Sequence, residues 1–154
     1  MAKMRTGNLA TCIISGNQFL EVAEEFTTDG ICDSNRLRPF FVNAGIASEL
    51  FLKAIQMYEH GNGTFWGGHN LAELFMGISQ SAKDAICLCY DTMYAGKNHK
   101  VELDYLLSNY PDSFIKFRYA FETSAEGNTR ALLYFAKSLK LYIDANIGKG
   151  VEGK

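Results

Sequence analysis

The chain has 154 residues, enough for one domain with its own core, and its 47% hydrophobic and 21% charged residues make an ordinary globular balance. A formal net charge of -2 excludes bulk attraction to nucleic acid, so any RNA or DNA contact needs a local basic patch. No apolar run reaches the ~18 residues of a membrane helix, and no apolar segment with a small-residue cleavage site follows the basic start. Cys12, Cys32, Cys87 and Cys89 do not space as a disulfide framework, so a cytoplasmic protein with reduced thiols is expected.

Residues 1–8 read as a flexible N-terminus. From Leu9 to about Phe26, Ile13, Gly16, Leu20, Ala23 and Thr27 recur at helical spacing, with Glu21, Glu24 and Glu25 on the other face. Thr28-Asp29-Gly30 ends this helix, and 31–38 is a connector. Pro39 fits the first turn of a second helix, where its missing N–H costs nothing. Phe41, Ala44, Ser48, Phe51, Ile55 and Tyr58 form its stripe, and Ala47, Leu52 and Ala54 widen it into a helix buried on more than one side. Gly61, Gly63, Gly67 and Gly68 then break the chain.

Asn70, with Glu73 three residues later, opens a third helix as a capping box. Leu71, Leu74, Phe75, Ile78, Ala82, Ala85, Ile86 and Cys89 carry its period to about Tyr90. A short helix is expected over 101–108 and another over 114–122, capped by Asp112 or Ser113 and broken at Glu126-Gly127-Asn128. Leu132, Phe135, Ala136, Leu139, Tyr142 and Ile143 mark the last helix, to about Ile147, before a flexible tail over 148–154. No segment alternates as a strand does. The expectation is an all-α, up-down bundle of about five helices in a single domain over 9–147. With 13% aromatic residues, rings should fill much of its core.

One pattern reaches beyond fold class. Pro39 is followed by Ala47-Ser48-Glu49-Leu50-Phe51-Leu52-Lys53-Ala54, then by Gly68-His69-Asn70-Leu71-Ala72-Glu73-Leu74-Phe75, and later by Phe114, Arg118-Tyr119 and Glu122. In order and spacing this resembles the HEPN-domain family. The resemblance implies a compact helical bundle that usually dimerises. Some such proteins are metal-independent endoribonucleases of toxin–antitoxin and phage-defence systems; others bind RNA, nucleotides or protein partners without catalysis. The nuclease members carry Arg-x(4-6)-His, and here none of Arg5, Arg36, Arg38, Arg118 or Arg130 is followed by a histidine at that spacing. The resemblance therefore implies a non-catalytic binding module in a stress, defence or toxin–antitoxin setting, working as a homodimer with a protein or RNA/nucleotide partner. The alternatives are a divergent endoribonuclease and a purely structural oligomerisation domain.

The polar residues of the pattern admit two readings. Glu49 with Lys53, and Arg118 with Glu122, are each one helical turn apart and suit intrahelical ion pairs. If the two helices face each other, Glu49, Lys53, Arg118, Tyr119 and Glu122 form one polar cluster, a binding site or a register lock. His69, just before a capped helix start, orients the turn by hydrogen bonding or meets an anion there. In the nuclease alternative Arg118 stabilises phosphate charge, and His69 or Glu122 supplies the proton acceptor for 2'-hydroxyl attack.

Other chemistry finds less support. The glycine run follows a helix rather than a strand and lacks the Lys-Ser/Thr ending of a phosphate loop, so it reads as turn chemistry. Trp66 within it covers the end of the bundle or stacks on a base. Cys87-x-Cys89 near His99 lacks a second cysteine pair for zinc, and no Glu-x-x-His occurs for a di-iron site. No metal and no cofactor are expected.

Overall fold

The computed structural model describes residues 3–93, 103, 104, 106, 107 and 126–148. The expected helix around 114–122, with Arg118, Tyr119 and Glu122, lies outside the described residues, as do His99 and the tail beyond Gly148. Within them the protein is an all-α bundle with two small β-ribbons attached.

Helix α1 (Leu9–Glu25) begins where the Asn8 side chain accepts a hydrogen bond from the Thr11 amide at 2.8 Å. Its buried residues are Ile13, Gly16, Leu20 and Ala23, one per turn, as the spacing requires. Helix α2 (Leu37–His60) starts two residues earlier than Pro39 suggests, so the proline stands at the third position. That position is still in the first turn, whose amides have no intrahelical acceptor. At its other end Gly61 takes the left-handed conformation, φ 76°, and its amide closes onto Met57 and Tyr58 carbonyls.

Helix α2 is the centre of the bundle and packs against α1, against the short helix α3 (Leu71–Met76) and against the last helix α5 (Glu126–Asn146). Phe40, Phe41, Ala44, Ala47, Phe51, Leu52, Ala54 and Ile55 are all fully buried along it. Tyr58, placed in the stripe by its spacing, is instead exposed, and Met57 is buried in its stead. Helix α4 (Gln80–Met93) packs on α5 through a face containing Ala82, Ile86 and Tyr90. Leu103, Leu106 and Leu107 join the same core from helical backbone. Aromatic rings do carry much of that core: Phe40 meets Phe41, and Phe75 meets Phe135, both edge to face at 5.7 Å.

Four features differ from the reading of the sequence. The expected single helix from Asn70 to Tyr90 is two helices, because Gly77 caps α3 and Ser79 starts α4, its hydroxyl accepting from the Ala82 amide at 3.2 Å. The apolar period runs straight through this break, which is why it hides it. Glu126-Gly127-Asn128 opens α5 rather than interrupting the chain. Residues 4–6, read as part of a loose start, form strand β1 (Met4–Thr6), antiparallel to β4 (Thr64–Trp66) in the glycine-rich connection. A second ribbon pairs β2 (Thr27–Thr28) with β3 (Ile31–Cys32) around the turn at Asp29-Gly30, and a 3-10 turn (Ser34–Arg36) leads into α2. Strands of two or three residues are too short to show alternation, so periodicity could not find them.

Helix α1 meets α2 tightly at Gly16. A Cβ built there stands 2.6 Å from Cε1 and 2.8 Å from Cδ1 of the fully buried Phe51 ring. Gly16→Ala is therefore expected to destabilise the fold by about 1–3 kcal/mol through overpacking. Urea denaturation measures this; a variant as stable as the parent would show that the α1–α2 contact is looser than described.

Candidate functional site

Glu49, Lys53, Gln56 and His60 follow one another along α2 at steps of four, three and four residues, so they share one helical face. That face is turned to the connection between α2 and α4, and each side chain holds a different part of it. The Glu49 carboxylate, only 9% exposed, receives Lys53 Nζ at 2.7 Å and faces His69 Nδ1 at 3.0 and 3.1 Å. The Lys53 ammonium also lies over the Phe65 ring of β4, 5.5 Å from its centroid. Fully buried Gln56 accepts from the Trp66 amide at 2.8 Å and donates to the Leu74 carbonyl at 3.1 Å. His60 Nδ1 sits 2.8 Å from the Thr64 carbonyl oxygen. Beside this face, Glu59 accepts from the Ser79 amide and hydroxyl at 2.9 and 2.7 Å, fixing the start of α4.

Of the site residues expected from sequence, Glu49, Lys53 and His69 converge. Arg118, Tyr119 and Glu122 lie outside the described residues. The intrahelical Glu49–Lys53 pair forms as expected, and His69 adds the 20-residue reach that makes it a cluster. Asn70 caps α3 as its motif implies, accepting from the Glu73 amide at 2.9 Å. Gln56, Glu59 and Phe65 escaped the reading from sequence. A signal for Gln56 existed: it falls one helical repeat beyond Glu49 in a helix already read as buried on several sides. Among the described residues no group of three or more His, Cys, Asp or Glu side chains is placed to hold a metal ion.

Burial makes this arrangement consequential. A carboxylate withdrawn from water is costly unless its oxygens are satisfied by charge and hydrogen bonds. Lys53 and His69 supply both, and in return Glu49 fixes the orientation of the His69 ring, whose side chain is 47% exposed. The imidazole thus stands at the surface while its carboxylate anchor stays inside. Cys12, on the α1 side, donates its thiol to the Leu50 carbonyl at 3.2 Å. Burial foremost pushes that thiol up from 9.0 to about 11; Lys53 opposes the shift and Glu49 adds to it. Cys32 is likewise raised to about 11, by burial and by Asp33.

Comparison with protein-family models, with curated proteins and with solved structures returns no match. No helix among the described residues is long and apolar enough to cross a membrane.

Two expectations follow. Gln56→Ala strands the Trp66 amide and leaves the Leu74 carbonyl with the Gly77 amide alone, which should lower stability by about 1–3 kcal/mol and speed exchange of the Trp66 amide. A loss within about 0.5 kcal/mol, the range of an ordinary surface change, would mean Gln56 does not fasten β4 and α3. The thiols give a pH dependence. Raised folded values favour the neutral form, so their contribution is full below pH 9 and is lost as pH rises from 9 towards 11. Urea denaturation on both sides of pH 9 should show the parent losing more stability than the Cys12→Ala/Cys32→Ala variant; parallel losses would refute the assignment.

Proposed function

We propose that the chain is a HEPN-like interaction module that contacts a protein partner and performs no catalysis. The observation that carries this reading is the Glu49 cluster. Its residues are those of the Ala47-x-Glu49-Leu50-x-x-Lys53-Ala54 and Gly68-His69-x-Leu71 stretches, and they bind one another: the carboxylate takes up both Lys53 and His69. Such a cluster fastens the glycine-rich connection to α2 and gives the ribbon a fixed pose, which suits a surface that must be presented rather than a group that must react. The overall charge of -2 favours a protein partner over nucleic acid. Exposed Met76, Leu88 and Leu141 supply apolar surface for the homodimer that the resemblance implies.

A second reading, a divergent metal-independent endoribonuclease, draws support from one feature. A half-exposed imidazole held by a buried carboxylate is the arrangement that orients a histidine for proton transfer. The two readings separate in one experiment. Single-stranded RNA incubated with the purified protein is expected to stay intact, while His69→Ala lowers stability by weakening the hold on the 61–70 connection. Cleavage that is lost in both His69→Ala and Glu49→Gln, with both variants folded, would replace the first reading by the second.

A further inference from the structure

We propose that the outer edge of β1 is a docking site for an extended acidic peptide segment, which adds to the β1–β4 ribbon as a third strand. This deepens the protein-interaction reading above and rests on it. The register determines which backbone groups are available. The Gly67 amide donates to the Lys3 carbonyl at 2.7 Å and the Gly7 amide to the Gly63 carbonyl at 2.9 Å, so Lys3–Gly67 and Gly7–Gly63 are hydrogen-bonded pairs. Between them Met4–Trp66 and Thr6–Thr64 are the non-bonded pairs of the antiparallel ladder. The amides and carbonyls of those four residues point away from the ribbon.

The two outward edges are treated differently. On β4, Gln56 takes the Trp66 amide, Asn62 takes the Thr64 amide at 3.1 Å and His60 meets the Thr64 carbonyl. Side chains of α2 and its following turn thus occupy three of the four outward groups on that edge. On β1, no side chain or backbone group among the described residues meets the outward amides and carbonyls of Met4 and Thr6. An open edge of this kind pairs with an added strand, main-chain bonds giving affinity and alternate side chains specificity.

The side chains specify the occupant. Lys3 and Arg5 project from the same face of β1 and are both exposed. On the opposite face Met4 and Trp66 form an exposed cross-strand pair, 47% and 44% accessible. No Asp or Glu occurs between Met1 and Leu20 or between His60 and Ala72, so both strands and their flanking turns lack acidic groups altogether. A strand alternating carboxylate and apolar side chains meets Lys3 and Arg5 with one face and Met4 and Trp66 with the other. A second copy of β1 would instead set Lys3 and Arg5 against their own kind, which disfavours self-pairing.

The test uses the full chain labelled with 15N and a synthetic peptide alternating glutamate and valine, with capped ends. Binding should slow exchange of the Met4 and Thr6 amides by about tenfold or more while leaving the already bonded Gly7 amide unchanged. Lys3→Glu/Arg5→Glu should weaken binding by about tenfold or more, and a peptide with alternate N-methyl groups should not bind. Met4→Pro removes one outward donor and no ladder bond, so it should reduce binding with Gly7 protection retained. If that variant loses Gly7 protection, the charge-reversal pair decides alone. Unchanged exchange at saturating peptide overturns the proposal. So does concentration-dependent protection of Met4 and Thr6 without peptide, which would mark self-pairing, or equal binding of a lysine–valine peptide. Intact RNA with no peptide binding sinks the edge proposal alone, whereas cleaved RNA sinks the interaction reading beneath it.

Discussion

The buried carboxylate of Glu49 constrains this protein more than any other group. It sits in a helix whose remaining buried residues are almost all apolar, beside Phe51, Leu52 and Ala47. A charge in that position needs partners, and the two described above come with consequences. Lys53 is one turn further along the same helix, and beyond α2 it reaches the connection through the Phe65 ring. His69 comes from 20 residues away, so satisfying Glu49 requires the glycine-rich connection to fold back over the helix. Gln56 then repeats the arrangement one helical repeat later with neutral hydrogen bonds, and Glu59 finishes it at Ser79.

This makes α2 two helices in one. Its apolar sides supply core contacts to α1 and α5, where rings and methyls exclude water and no direction is specified. Its polar face supplies directed bonds to a stretch that has little apolar material of its own. Helix α3, with only six residues, is far below the length at which a helix persists alone. It stands because Leu71, Leu74 and Phe75 reach the core and because Gln56 and Asn70 hold its backbone at either end. The division explains how a connection rich in glycine acquires a fixed conformation at all.

The legible parts of the sequence were those that depend on period. The burial of Ile13, Gly16, Leu20 and Ala23 on α1, and of Leu132, Phe135, Ala136, Leu139 and Ile143 on α5, follows the 3.6-residue repeat directly. The Asn70 cap was legible because its chemistry is local. What escaped depends on contacts between distant segments. Nothing in MRT or TFW announces a strand; the two become one only by lying side by side. The break at Gly77 is invisible to periodicity because Ile78 and Ala82 keep the apolar phase across it. The cluster was half legible: Glu49 and Lys53 announce each other by spacing, whereas His69 is joined to them by tertiary structure alone.

The β1–β4 ribbon also bears on the order in which the chain assembles. Its strands bracket the whole of α1 and α2, so pairing them in an unfolded chain would close a long loop for the sake of a few backbone bonds. Once α1 has docked on α2 through Gly16 and Phe51, the chain ends on either side of that hairpin are already neighbours, and only the entropy of ordering the two short strands is left to offset. Loop-closure entropy thus predicts that the ribbon forms late in folding and is lost early on unfolding. The surface that carries Lys3, Arg5 and Trp66 exists only in molecules whose first two helices are correctly packed, so the ribbon reports on the integrity of the core beneath it.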